Sequence, residues 1–333
     1  MTRFLPLLVP AFALLAACSG KDPTTDDSDS SGNLDSDTQH LDDTGSCATA
    51  VLETEPVDGT GDVYYHDTIT VTFDGDGGAA VFTLLDAAGT PVPVSATWTD
   101  GNVQAVLTAE LAPLTTYTLT TEICGTPSSM SFTTSELGTA LTVDPASLVG
   151  STYMFRLSDA SITEPAFLDI VANAYLTVPI LIGVDQSDAE TIDLLGGLGY
   201  EDGSTYAQEP GLPTWDFPVA DFTAQPFFAA ASPLVTIMYG TTPIPINNFT
   251  LEGTFSADGS MIAHGLATGT GDTRYMAPLV GKPADDYGAM CDFAAAAGVY
   301  CIACPDGEPY CLYIVAENIN ATKVDGLTME TIP

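Results

Sequence analysis

The chain has 333 residues, with 44 acidic side chains against 6 Lys plus Arg and a formal net charge of -38. A surface this anionic repels phosphate backbones and anionic headgroups, which excludes nucleic acid as a partner and polybasic docking on membranes, and favours cations and cationic partners. A hydrophobic content of 45% is too high for a wholly disordered chain, and the length suggests about two domains.

Residues 1–17 carry a single base, Arg3, followed by an apolar run over 4–16 that is too short to span a bilayer as a helix. The pattern predicts a secretory signal peptide. It closes on Leu15-Ala16-Ala17-Cys18, which resembles the lipobox of bacterial lipoproteins. That resemblance implies that Cys18 is lipidated and becomes the mature N-terminus, so that the membrane is a partner through an N-terminal lipid. Ser19, where the family places Asp for inner-membrane retention, implies the outer membrane or cell surface. Each buried acyl methylene contributes about 0.8 kcal/mol, so two or three chains anchor without a transmembrane helix.

Residues 19–46 hold eight Asp, one base (Lys21) and almost nothing apolar. Such a segment has too little surface to bury to offset its ordering entropy, so 18–46 is predicted to be a lipidated cysteine followed by a disordered, self-repelling acidic tether. Its Asp runs do not reproduce a spaced calcium loop.

From 47 to 138 short β-branched and aromatic runs alternate with turns rich in Gly, Asp, Asn and Pro. Strands are predicted at 68–73, 80–85, 94–99, 103–107, 116–121 and 129–134, enough for a β-sandwich. The Glu55-Pro56-Val57-Asp58-Gly59 run, the Leu111, Pro113, Leu114, Thr116, Tyr117 stretch and the closing Ser131-Phe132-Thr133-Thr134 resemble a bacterial Ig-like domain of the SbsA-like kind. The resemblance covers about 90 residues, implies an Ig-like sandwich acting as spacer or adhesion module, and places Tyr117 as the corner tyrosine. Asp74 and Asp76 share a Gly-rich loop; loop-bound calcium is the one cofactor considered, although two carboxylates supply only part of the six to eight oxygens calcium takes.

From 139 to 333 the apolar runs lengthen. Strands are expected at 152–157, 176–184, 191–195, 234–239, 249–255, 261–268, 298–303 and 312–316, a hairpin turn at 256–260, and short helices at 272–279 and 285–297. The whole reads as a β-rich domain with short helices, either a partly open barrel or a second sandwich. Its repeated hairpins and late cysteine-rich segment are distantly similar to lipocalin-like lipoprotein barrels.

With Cys18 lipidated, six cysteines remain, and an even remainder outside the cytoplasm predicts disulfides. Cys47 and Cys124 are natural partners. Cys291, Cys301, Cys304 and Cys311 allow three pairings; Asp306-Gly307 suggests a turn joining Cys304 to Cys311, which leaves Cys291 to Cys301. The alternative is a four-cysteine zinc site, disfavoured because only one pair has C-x2-C spacing.

Catalytic signatures are scarce. Only His40, His66 and His264 are present, and no nucleophile elbow, zinc helix or phosphate loop occurs. The residues therefore assign no catalytic, cofactor or metal position. Trp215, Phe217, Phe222, Phe227 and Phe228 form either core or the wall of a site for an apolar or glycan ligand. Arg274 in Asp272-Thr273-Arg274-Tyr275 forms either an ion pair or an anion clamp. The leading expectation is a non-enzymatic, lipid-anchored binding or adhesion module with an unknown ligand or surface partner. The alternatives are a structural envelope component with an acidic, salt-tolerant surface, and a carboxylate-based extracellular hydrolase.

Overall fold

A computed structural model describes residues 48–169, 177–239 and 242–333. Cys18, the tether, His40 and Cys47 lie outside the described residues. The protein is mainly β.

Nine strands build the N-terminal sandwich. β1 (Val51–Glu55), β3 (Ile69–Phe73), β7 (Gln104–Ala109) and β6 (Val94–Thr99) form one sheet in that order. The other runs β2 (Thr60–Val63), β9 (Thr126–Thr134), β8 (Thr116–Ile123), β4 (Val81–Asp86) and β5 (Pro91–Val92), with β2 parallel to β9. Period-2 patterning decides which face is inside: Ile69, Val71 and Phe73 point inward from β3 and meet Leu84, Leu119 and Phe132 of the opposite sheet. Each such side chain, once fully buried, contributes about 1.5–3 kcal/mol. Tyr117 is buried, and its Oη accepts the Ala112 N–H at 2.7 Å, the geometry of a tyrosine corner. The strands β1, β2 and β5 have no counterpart among the predicted ones, being short and poor in alternation. Cys124, just past β8, is disulfide-bonded.

The second region is one eleven-stranded sheet. Its main path is β14 (Thr205–Gln208), β13 (Thr191–Asp202), β12 (Pro179–Ser187), β10 (Thr152–Arg156), β20 (Cys311–Lys323), β19 (Met261–Asp272), β18 (Thr242–Phe255) and β17 (Phe227–Tyr239). β11 (Ser161–Glu164) adds to β20, while β15 (Trp215–Asp216) and β16 (Ala220–Asp221) add to β13. The described strands form no closed barrel. The sheet rolls until its edges meet through a side chain: the Trp215 indole Nε1–H donates to the Thr236 carbonyl of β17 at 2.9 Å.

β12 and β13 read as near-continuous apolar runs because both of their faces are covered. One faces the interior of the roll; against the other the C-terminal tail lays Met329, packed with Leu181 and Leu195. Glycines make room, since a Cβ on Gly183 or Gly197 would approach Met329 to 3.1 and 3.0 Å.

The segment expected as a strand at 298–303 is not one. It is irregular, with a single bridge from Ile302 to Cys311, because two disulfides and a Pro-Asp-Gly turn leave no room for a ladder. The expected helix at 272–279 is two 3-10 turns, Thr273–Tyr275 and Ala277–Val280, interrupted where Pro278 enters. The alanine-rich stretch gives the helix Ala289–Ala296.

The sheets of the two regions share no strand, yet residues from 47 onward form one compact unit. The seam runs through 64–67: Tyr64 Oη lies 2.7 Å from Thr254 Oγ1, Tyr64 stacks on His264 at 4.5 Å, and His66 meets Phe227 at 4.5 Å.

Candidate functional site: an apolar cavity in the rolled sheet

The two ends of the roll differ. At the end facing the sandwich, Phe255 meets Tyr153, Phe222 and Phe228 at 5.5, 5.9 and 5.3 Å between ring centres. All four rings are essentially inaccessible to solvent, and the Tyr153 hydroxyl donates to the Gly259 carbonyl at 2.8 Å, so this end is plugged.

Toward the other end the packing opens into a cavity of about 100 Å³. Trp215 and Phe217 form one wall, Ile237, Ile244 and Ile246 of the β17–β18 hairpin another, and Phe155, Ile180 and Ile182 a third. Among the described residues Thr268 is the only polar side chain on it apart from the Trp215 indole, and its Oγ1 lies 2.7 Å from Thr250 Oγ1. The indole N–H of Trp215 is likewise committed to Thr236. Among the described residues the lining therefore offers no titratable group. Apolar cavities of about 150 Å³ stay dry and take benzene-sized guests, and this one is of the same order.

Mid-strand glycines shape the walls. A Cβ on Gly196 would fall 2.5 Å from Trp215 Cε3 and 3.2 Å from Phe217 Cε2, so both rings lie flat on β13 only because that position is bare. A Cβ on Gly269 would collide with Ile246 Cγ2. The aromatic group singled out in the sequence is thus divided: Trp215 and Phe217 line the cavity, Phe222 and Phe228 belong to the plug, and Phe227 sits at the seam. The isoleucines of β17 and β18 carry no sequence signal beyond apolarity; the glycines opposite bulky residues are the signal that could have found the walls.

A disulfide-stapled segment caps the open end. Cys291 joins Cys301 and Cys304 joins Cys311. Met276 and Leu279 of this cap reach the cavity, and Phe293 of its helix meets Phe167 edge-on at 5.6 Å. Arg274 fastens it: its Nε donates to Asp272 Oδ1 at 2.9 Å, one terminal nitrogen lies 2.6 Å from Asp272 Oδ2, and the other lies 2.7 Å from Asp306 Oδ2. The guanidinium is an internal tie with its fork already filled. Among the described residues, Asp272, Cys304 and Cys311 are the one group close enough to share a metal ion, but both sulfurs are spent in a disulfide. The zinc alternative therefore fails at these four cysteines.

The chain matches no family model, and no curated protein matches it.

A second concavity, of about 980 Å³, follows the seam between the two regions. Glu53, Glu55, Asp62, Asp67, Glu252 and Glu317 line it together with Tyr64, His66 and His264, and among the described residues no Lys or Arg does. Burial pushes the Asp67 carboxyl above its ordinary range and the His66 imidazole below its own, while the Tyr64 hydroxyl is driven far up. In the loop considered for calcium, Asp74 Oδ1 accepts the Ala50 N–H at 2.8 Å and Asp76 Oδ1 the Gly78 N–H at 2.9 Å, so each carboxylate serves as a backbone cap.

Proposed function

We propose that this protein is a non-enzymatic binding lipoprotein of a bacterial cell envelope, held to the membrane through lipid on Cys18, and that the rolled sheet holds an apolar ligand. The observation that carries the binding role is the cavity whose described lining is apolar apart from the Thr268 hydroxyl and the Trp215 indole N–H. A ligand there gains mainly from burial of apolar surface, at about 25 cal/mol per Å², and the described lining presents it no titratable side chain. Placement in the envelope rests on the Leu15-to-Cys18 tetrad and the disulfides, which suit an oxidising compartment. In this reading the acidic tether and the Ig-like sandwich are a spacer that carries the binding region away from the membrane.

The test is calorimetric titration of the full chain with benzene, beside the variant Ala267→Leu, which adds three carbons into the cavity. Saturable binding at one site, reduced at least tenfold in affinity by A267L, is expected. No binding to the folded wild type would refute the binding role.

A further inference from the structure

The outer face of the roll carries a strap that touches the cavity wall from behind. Residues 324–333 form no strand, yet Val324 and Met329 are buried and Leu327 is half-buried against β10, β12 and β13. The Val324 N–H donates to the Thr152 carbonyl of β10 at 2.8 Å. Met329 lies over Gly183 and Gly197, where a Cβ would approach it to 3.1 and 3.0 Å. Beyond it the main chain is held largely by side chains. The Gln208 amide donates to the Glu330 carbonyl at 2.7 Å and accepts the Glu330 N–H at 2.8 Å. The Thr214 hydroxyl accepts the Ile332 N–H at 3.0 Å, while the Thr214 N–H donates to the Ile332 carbonyl at 2.9 Å.

Three of these anchors are next in sequence to residues that build the wall. Gly183 follows Ile182, Gly197 follows Gly196, on which Trp215 is seated, and Thr214 precedes Trp215 itself. Successive residues of a strand point to opposite faces, so Ile182 and the bare Gly196 look into the roll while Gly183 and Gly197 look out at Met329. One strand thickness separates the strap from the cavity. Docking also carries a polar cost. Thr152 pairs with Gly183, shares its outward face and is fully buried, and its Oγ1 has no hydrogen-bond partner among the described residues. Burial of Met329 favours the docked strap, and desolvation of the Thr152 hydroxyl opposes it.

Resting on the binding role above, we infer that residues 324–333 are a regulatory strap, whose docking holds the β12–β13 wall and the Trp215 indole in place and thereby raises the affinity of the cavity for its ligand. Released, the strap no longer backs Gly183 and Gly197 and no longer ties Thr214, so the wall that carries Trp215 loosens. The coupling is reciprocal: the ligand favours docking by the same factor by which docking favours the ligand. Strap and ligand need not touch, because both act on one wall.

The experiment titrates benzene calorimetrically into the full chain, into Met329→Gln, into Gln208→Ala and into the double variant, and follows amide hydrogen exchange of the wild type with and without saturating benzene. Neither substituted side chain lines the cavity. Each single variant is expected to weaken benzene by about fivefold or more, and the double variant no further than M329Q, since both release one element. Q208A keeps the test decisive should M329Q melt early. In the wild type, benzene should slow exchange at the Glu330 and Ile332 amides by the factor that M329Q loses in affinity. The Ala112 amide, bonded to the Tyr117 hydroxyl in the sandwich, should be unchanged. A strap that opened locally without disturbing the cavity would exchange at the same rate with and without benzene. Unchanged affinity in both single variants, or exchange at Glu330 and Ile332 indifferent to benzene, would overturn the inference and leave the binding role standing. No benzene bound by the folded wild type would remove that role and the inference with it.

Discussion

Gly196→Ala adds one methyl group where the structure has none to spare. The new Cβ would stand 2.5 Å from Trp215 Cε3 and 3.2 Å from Phe217 Cε2, against ordinary carbon contacts of about 3.5–4.0 Å. The indole must move by about 1 Å, because β13 is paired on both sides here, Gly196 with Trp215 on one and with Ile182 on the other. A shift of that size breaks the 2.9 Å bond from Trp215 Nε1 to Thr236, the tie that draws β15 to β17. Overpacking of this kind costs about 1–3 kcal/mol, and the lost hydrogen bond adds about 0.5–1.5 kcal/mol. The sum, about 1.5–4.5 kcal/mol, is expected in urea unfolding followed by tryptophan emission, with the transition of the rolled sheet moving and that of the sandwich, reported by Trp98, unchanged. Benzene affinity should fall in the same variant. A loss below about 0.5 kcal/mol with unaltered binding would refute the claim that Trp215 is seated on a bare strand and forms the wall.

Arg274→Gln leaves Asp272, almost wholly buried, without its cation; a local loss of about 2–4 kcal/mol is expected, read as accelerated hydrogen exchange across 273–311, and unchanged protection there would contradict the tie. Replacing Cys291 and Cys301 together by Ser opens a loop of sequence separation 10 and should cost about 2.5–3 kcal/mol, with intact mass showing two fewer hydrogens lost to bridges. The Asp258 carboxyl, held down to about 2 by the hydroxyls of Ser256 and Ser260, lies below its unfolded value, so its stabilisation is present above pH 3.8 and is lost as pH falls toward 2; an NMR midpoint near 4 for Asp258 would contradict it. Burial raises the Tyr153 hydroxyl to about 12, so its contribution is complete below pH 10 and lost between pH 10 and 12; ionisation followed at 295 nm should show it titrating with the late tyrosines.

Most of the strand inventory was legible because these strands obey a two-residue period with turn residues between them. The resemblance to Ig-like domains implies Tyr117 as a corner tyrosine, and its partner backbone does lie only five residues upstream. The Cys304–Cys311 bridge followed from a local turn. What stayed hidden depends on pairing between distant residues. No local pattern tells that β20 is shared between β10, β11 and β19, or that residues 298–303, apolar and β-branched, are held irregular by cystines. The cavity was half visible: Trp215 and Phe217 announced a core or a wall, but which of five neighbouring aromatics line open space and which fill a plug is set by the roll of the sheet. The seam was invisible, since Tyr64 and Thr254 are 190 residues apart.

Xenon at moderate pressure in crystals of the protein tests the cavity most directly, because xenon settles only in unfilled apolar space of about this size. An ordered peak between Trp215, Phe249 and Ile314 is the expected result, and it should vanish in A267L. A well-ordered crystal with side chains filling that volume and no xenon there would contradict the reading of this region as a ligand-holding sheet.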